Sequence, residues 1–368
     1  MAKQIVTHGR TPDQLQTQAQ LLVDAMVGEN LDQLSTIDMR GDEVARVLYR
    51  AAREQHGAPL TLSAARLLWD RVGTGDRVLM LTGFLSPKPY PETDGLIGSA
   101  VLAAALERAR GAVPVFACEP EVAGPLMAAL HASGLNPVAA LDGVEGVPHP
   151  AAVLEFPTAR AMAESTAGAL AESIRPVACI AVERPGANPL GEYHFAMGKN
   201  VTSDIAPIDI LYRAVAARGA ATVAVGDFGN ELGMGAIYET IRSETPAGAE
   251  CGCGCGGGTA CATPADVTVI ASVSDWGAYA IAACLSYLGR DPAVLIPGDV
   301  YRRILDDTVR AGAIDGPTRY AAAYIDGIDD GFNSALLEVM RGAVRYPGRP
   351  STHSAIRLFR ARRKEPGG

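Results

Sequence analysis

The sequence predicts an α/β protein of three layers, helices on both faces of a mostly parallel sheet, preceded by a helical segment. Three observations predict it. From Arg77 onward, short apolar runs alternate with amphipathic stretches, the sequence form of repeated βαβ units. Several of those runs stop at a polar or acidic residue beside glycine or proline, as strands do at the carboxyl edge of a parallel sheet. The chain also has 368 residues, 48% of them hydrophobic, at a mean hydropathy of +0.12, enough for one large core or two smaller ones.

The elements follow in order. Residues 1–75 read as a helical preface: Thr11 caps and Pro12 opens a helix to Val27, with Leu15, Leu21, Leu22 and Met26 at helical spacing, followed by helices over Asp42–Glu54 and Thr61–Val72. The α/β domain, 76–345, opens with the run Val78–Leu81, a proline-rich loop and a helix over Asp94–Arg110. Val113–Ala117, Val153–Phe156 and Val177–Val182 read as strands, with helices over Glu121–Ala132 and Thr158–Ser173 between them. Pro207 and Asp209 open a helix to Arg218, Ala221–Val225 is a strand, and a helical pattern starts at Ile237. Asp266–Val273 reads as a strand ending at Ser274-Asp275-Trp276-Gly277, with a helix over Ala278–Leu288. Val294–Ile296 and helices over Val300–Ala311 and Phe332–Val344 complete the domain, and no internal repeat is visible.

Charge and composition exclude several functions. A net charge of -9 argues against non-specific nucleic-acid binding, which needs a basic footprint. No window has the eighteen or so apolar residues of a membrane span, and Met1–Thr11 is too short and polar for a transit peptide, so a cytoplasmic protein is expected. The basic tail, 346–368, reads as solvated, or as a contact with an acidic neighbouring subunit in a homo-oligomer or with an anionic ligand.

The chemistry gathers where the apolar runs stop. Gly226–Gly235, GDFGNELGMG, places Asp227, Asn230 and Glu231 within five positions after a strand. Thr82-Gly83, Glu183-Arg184-Pro185-Gly186 and Asp275-Trp276-Gly277 end other runs, and Glu92 and Asp94 lie in the loop after the first. On one rim these carboxylates cannot all stay charged unless a cation joins them, and oxygen-only ligands favour Mg²⁺ or Mn²⁺ over zinc. The competing reading for each acid is a helix cap, most natural for Asp94 and Asp275. Lys88, Arg184 and Lys199 could hold a substrate carboxylate or phosphate, Arg184 bidentately, or serve as ion pairs, the more natural fate of Lys88. Dinucleotide binding is a poor fit, because the glycines do not fall as G-x-G-x-x-G.

The blocks LTGFLSPKPYPETDGLIGSAVLAAAL, IAVERPG, EYHFAMGKNVTSDIAPIDILYRA, VAVGDFGNELGMGAI and TPADVTVIASVSDWGAYAIA resemble the D-glutamate cyclase-like C-terminal domain family, from about Ile37 to about Ala343. The resemblance implies a lyase that interconverts D-glutamate and 5-oxo-D-proline with loss or gain of water. It implies a divalent metal held by Asp227, Glu231, Glu183 and Asn230, and proton transfer by Asp94 or Glu92 with Glu183 in the same site. Arg184, Lys199 and Lys88, with Gly229 and Thr82, would meet the substrate. Phe228 stands where the family pattern favours glycine, Asp275 where Asn is usual, Leu96-Ile97 where it favours proline or small residues, and AMGKN where an NMRG-like stretch is usual. Two other classes remain open: an Mn- or Mg-dependent phosphohydrolase using the same acids, and a non-catalytic small-molecule binding protein of this fold.

Seven cysteines are present, four of them, Cys251, Cys253, Cys255 and Cys261, in the glycine-rich segment 246–263. With almost no apolar side chains, this segment reads as a mobile loop or lid that cannot pack. The C-x-C-x-C spacing is tighter than that of ordinary structural zinc sites, and thiolate metal binding or redox switching are the alternatives.

Overall fold

Apolar runs of four to six residues become the strands of one sheet, and the stretches between them become its helical covers. A computed structural model describes residues 12–346 of the chain; the expected Thr11 cap and the tail beyond 346 lie outside the described residues. Three helices come first, α1 (Pro12–Ser35), α2 (Val44–His56) and α3 (Leu60–Arg71). The first continues past its expected end at Val27 because Val27 and Leu31 extend its buried stripe. Asp32 in its last turn accepts hydrogen bonds from the Leu60 and Thr61 amides at 2.8 and 3.0 Å, so it caps α3 from a neighbouring element.

The sheet then builds through β1 (Arg77–Thr82), α4 (Leu96–Arg110), β2 (Val113–Cys118), α5 (Pro120–Ser133), β3 (Asn136–Val138), β4 (Pro150–Glu155), α6 (Arg160–Ile174) and β5 (Ala178–Val182). It continues with α7 (Asp209–Ala216), β6 (Ala221–Gly226), α8 (Tyr238–Glu244), β7 (Val267–Ile270) and α9 (Ser274–Gly289). The chain closes with α10 (Gly298–Arg310), a two-stranded antiparallel ribbon of β8 (Tyr324–Ile325) and β9 (Ile328–Asp329), and α11 (Asp330–Arg345). The seven-stranded sheet has the order β3-β4-β2-β1-β5-β6-β7, and every pairing in it is parallel. Helices α3, α4, α5 and α9 cover one face, and α6 with α7 the other, giving the three expected layers. Among the described residues, no helix is long and apolar enough to cross a membrane.

The winding places the site. From β1 the chain builds outward to β3 and β4, then returns to lay β5, β6 and β7 on the opposite side of β1. The direction of winding therefore reverses between β1 and β5, where a crevice opens at the carboxyl ends of parallel strands. Register brings those ends close to level: Thr82 pairs with Val182, and Val182 with Val225, so residues 83 and 183 leave the sheet together and Asp227 follows one residue later, after Gly226 pairs with Ile270.

Two expectations around β7 are corrected. The strand expected over Asp266–Val273 stops at Ile270, and Ser274–Gly277 forms the first turn of α9 instead of a strand end. Val294–Ile296 is buried but joins no strand. The short edge strand β3 and the ribbon β8–β9 are additional. Three and two residues are too few to set a period of two, so neither carried a pattern to read.

Candidate functional site

The rim at the reversal point collects acids from five separate segments. Glu183 follows β5 directly and has φ +44°, a left-handed conformation rare for a residue with a side chain; its amide still donates to Val225 O at 3.1 Å. The backbone of Gly95 is packed into this bend, and a Cβ there would fall 2.7 Å from Glu183 Cβ and 2.8 Å from Thr82 Oγ1. That contact is the local reason for glycine in the PETDG segment. Asp227 follows β6, and Glu231 folds back beneath it to accept the amides of Asp227, Phe228 and Gly229 at 3.0, 3.0 and 2.7 Å. Glu231 thus shapes the turn with its own charge, and the Gly229 amide is spent on that carboxylate.

Asp94 and Asp275 are exchanged caps. Asp94 Oδ1 accepts from the amides of Gly95 and Asp275, both at 2.9 Å, and its Oδ2 from Ser274 N at 3.2 Å, at the start of α9. Asp275 Oδ1 in turn accepts from Gly95 N and Gly98 N at 2.8 and 2.6 Å, at the start of α4. Each carboxylate satisfies amide groups that the other's helix leaves open, which locks the two N-termini together beside the rim. The capping role expected of both acids is therefore present, across elements instead of within them.

Ligand-type oxygens converge on Asp227 from both sides. One oxygen each from Asp94, Asp227 and Asp326 lie within 4.8 Å of one another, and so do oxygens of Glu183, Asp227 and Glu231. Burial raises Glu183 and Asp227 well above the usual carboxylate range; the neighbouring Asp227 and Glu231 add to the shift of Glu183, while Arg40 opposes that of Asp227 and Glu231 and Asp326 add to it. Burial, then Asp326 and Asp94, does the same to Glu92. Asp275 is pushed up to about 7 by burial, and Asp326 to about 8 by burial and then by Asp94. Carboxylates so arranged either keep their protons or share a cation.

The oxygen-only donor set suits a hard divalent ion, and buried oxygens without protein partners point the same way: Thr82 Oγ1 and Asn230 Oδ1 have none, while Asn230 Nδ2 donates to His194 O at 3.1 Å. Thr82 and Asn230 thus each keep one buried oxygen that no protein group satisfies.

The cation that does reach the rim was not among those expected. Arg40, in the loop between α1 and α2, donates to Asp227 Oδ2 at 2.9 Å and to Ser272 O at 2.7 Å, and pairs with Asp326 at 3.2 Å. Its guanidinium lies over the Phe228 ring, 4.4 Å from the centroid, so Phe228 has a cationic partner at the rim. Arg184 turns away from the rim. It is fully buried and grips Glu119, the residue after β2, with both terminal nitrogens at 2.6 and 2.7 Å, and it also donates to Gly83 O and Ala206 O. A guanidinium closed in this way frames the strand ends and has no face left for a substrate. Lys88 pairs with Glu121 at 3.3 Å, and Lys199 is exposed, its Nζ 5.6 Å from the centre of the Phe195 ring.

The segment 246–263 does pack, contrary to its composition. Cys251, Thr259, Ala260 and Cys261 are buried, and its backbone is tied to the site: Cys261 N donates to Gly229 O at 3.0 Å and Ala262 N to Ala187 O at 3.0 Å. Small side chains let main chain pack on main chain, a mode that hydrophobic counting does not detect. Within it Cys251, Cys253 and Cys255 meet His194.

A family model described as "D-glutamate cyclase-like, C-terminal" matches residues 31–341. The chain belongs to that family. The match covers the D-glutamate cyclase-like sheet, its rim and the preface from the end of α1, close to the extent read from the sequence blocks. The human protein "D-glutamate cyclase, mitochondrial" is 39% identical to the chain over 110 residues. That stretch is 30% of this chain and 17% of the human protein's length.

Proposed function

We propose that the chain is a divalent-metal-dependent enzyme interconverting D-glutamate and 5-oxo-D-proline at the Asp227 rim. The single observation that carries the reading is the convergence of two carboxylate triads on Asp227 beside a half-buried arginine, in a chain of the D-glutamate cyclase-like family. Asp227, Glu183, Asn230 Oδ1 and Asp326 would hold a Mn²⁺ or Mg²⁺ ion. When bound, the ion would polarise the γ-carboxyl and offset the charge that develops on its oxygen.

The chain's own residues supply the rest. Ring closure joins the α-nitrogen to the γ-carbon and breaks one C–O bond. The ammonium nitrogen gives up two protons, and the departing carboxylate oxygen collects both and leaves as water. Glu92 is the fitting carrier for them: burial and the neighbouring Asp326 and Asp94 raise its pKa well above the usual carboxylate range, and its carboxyl takes no protein hydrogen bond among the described residues, whereas Asp94's oxygens are held by amides. Arg40 replaces Arg184 as the group to hold the α-carboxylate, its two terminal nitrogens already presented to carboxylates at the rim. The phosphohydrolase alternative would have to take its clamp from Lys199 and Arg40, since Arg184 and Lys88 are paired elsewhere.

The test is incubation of purified protein with D-glutamate and Mn²⁺ or Mg²⁺, following 5-oxoproline by chiral chromatography, and the reverse reaction from 5-oxo-D-proline. The expected result is metal-dependent product of D configuration, removed by chelation. Absence of product in both directions would reject the enzymatic reading; thermal stabilisation by D-glutamate without turnover would then favour the binding-protein alternative.

A further inference from the structure

We propose a second metal site, separate from the carboxylate rim: a zinc ion bound by Cys251, Cys253, Cys255 and His194. The three sulfurs and His194 Nε2 all lie within 4.8 Å of one another. Cys251 Sγ is 3.1 Å from Cys253 Sγ and 3.2 Å from Cys255 Sγ, and His194 Nε2 is 3.3 and 3.8 Å from the sulfurs of Cys253 and Cys255. A tetrahedral zinc with Zn–S near 2.3 Å would hold its sulfurs roughly 3.8 Å apart, so a small expansion of the cluster accommodates the ion. None of the three cysteines is in a disulfide.

The local chain explains how so tight a spacing supplies three ligands. In an extended strand, alternate side chains share a face but sit about 6.6 Å apart, too far to converge on one ion. Gly254, between Cys253 and Cys255, takes φ +83° and breaks the extended run, and Gly256 at φ +79° turns the chain again just after Cys255. A Cβ at either glycine would meet nothing within 4 Å, so conformation and not crowding calls for glycine there.

A second observation points to ligated thiolates. Asn188 Nδ2 and Gly257 N donate toward Cys255 Sγ at 3.7 and 3.4 Å, and Asn200 Nδ2 donates toward Cys253 Sγ at 3.7 Å. N–H donors around sulfur are what an outer shell provides to a negatively charged cysteine–metal centre. The soft donor set selects zinc over the hard ion that suits the rim.

The site also has structural work. The segments 183–208 and 245–266 are long connections almost without regular structure, and such loops need a tie to be ordered. His194 belongs to one, the cysteines to the other, and the His194 carbonyl is held by Asn230 of the acidic turn. The ion would staple both loops to the wall of the rim.

Untagged full-length protein, purified without chelator, tests this by elemental analysis, and by Co²⁺ reconstitution of the reduced, metal-free chain. About one zinc per chain and a thiolate-to-cobalt charge-transfer band are expected. Cys253→Ser, at an exposed position, should lose the band and the zinc, while Asp227→Asn should keep both. Asn200→Ala should weaken zinc affinity by about tenfold or more. Failure of the wild-type chain to acquire zinc or cobalt, or zinc content unchanged in Cys253→Ser, would overturn the proposal. The readout is independent of catalysis, so it stands or falls apart from the cyclase reading.

Discussion

Two clusters of ligand-type side chains meet at Asn230, and they differ in almost every respect. On the Asp227 side, carboxylates arrive from strand ends, a helix start and a ribbon turn spread from residue 94 to residue 326, and an arginine already shares their charge. On the His194 side, three thiols come from five consecutive positions, and no arginine or lysine pairs with them among the described residues. The first arrangement is built by the sheet: register sets the ends of β5 and β6 level and the acids follow. The second is built by glycine conformations in a loop. A hard centre made by topology and a soft centre made by local curling should therefore respond to different perturbations.

The sharpest way to separate them is Asp227→Asn. It should remove Mn²⁺ binding and lower kcat/KM for D-glutamate by about 100-fold or more, with zinc content unchanged; elemental analysis and the chromatographic assay read the two centres in one sample. Next in size, the frame can be broken without touching either centre. Glu119→Gln leaves Arg184 buried without its partner and should cost about 3–5 kcal/mol of stability by denaturant unfolding. Retained turnover in the surviving folded fraction would confirm that Arg184 acts through the frame and not on substrate. Arg40→Gln should raise KM with a smaller change in kcat, by about tenfold, consistent with losing a charged hydrogen bond worth about 1.5–3 kcal/mol. An unaltered KM would remove Arg40 from substrate binding.

Stability should also depend on pH. Asp326 is pushed up to about 8, mainly by burial, whereas the unfolded chain ionises it near the ordinary value of about 3.9. The folded state therefore holds a proton that the unfolded state has lost between those values, and stability falls as pH rises through that window. In metal-free protein the wild type should lose stability relative to Asp326→Asn from pH 5 to about 8 and level off above it. Saturating Mn²⁺ should flatten the slope. A gap independent of pH in the metal-free protein would contradict the clustering of these acids.

Much of this was legible in the sequence because a parallel sheet writes itself as apolar runs with polar ends. Glu183, Asp227 and Asn230 could be found from those ends, and the preface helices from their spacing. Pairings were not legible. Arg184 reads as a substrate grip until Glu119, 65 positions earlier, is seen to occupy it. Arg40 lies in a loop without periodicity, and Asp326 in the turn of a ribbon too short to show one. Asp275 reads as a strand end because Ser274-Asp275 begins a helix with no preceding turn residue to mark it. The cysteine segment reads as unable to pack because glycine and alanine bury main chain, which side-chain hydropathy ignores.

The most direct measurement is diffraction from a crystal soaked in Mn²⁺, with anomalous data collected at the manganese and zinc edges. Manganese density within about 2.0–2.4 Å of Asp227 and Glu183 oxygens is the result this account predicts, with zinc density confined to the His194 cluster. A crystal in which Asp227 binds no ion and stays paired with Arg40 alone, at saturating Mn²⁺, would contradict it.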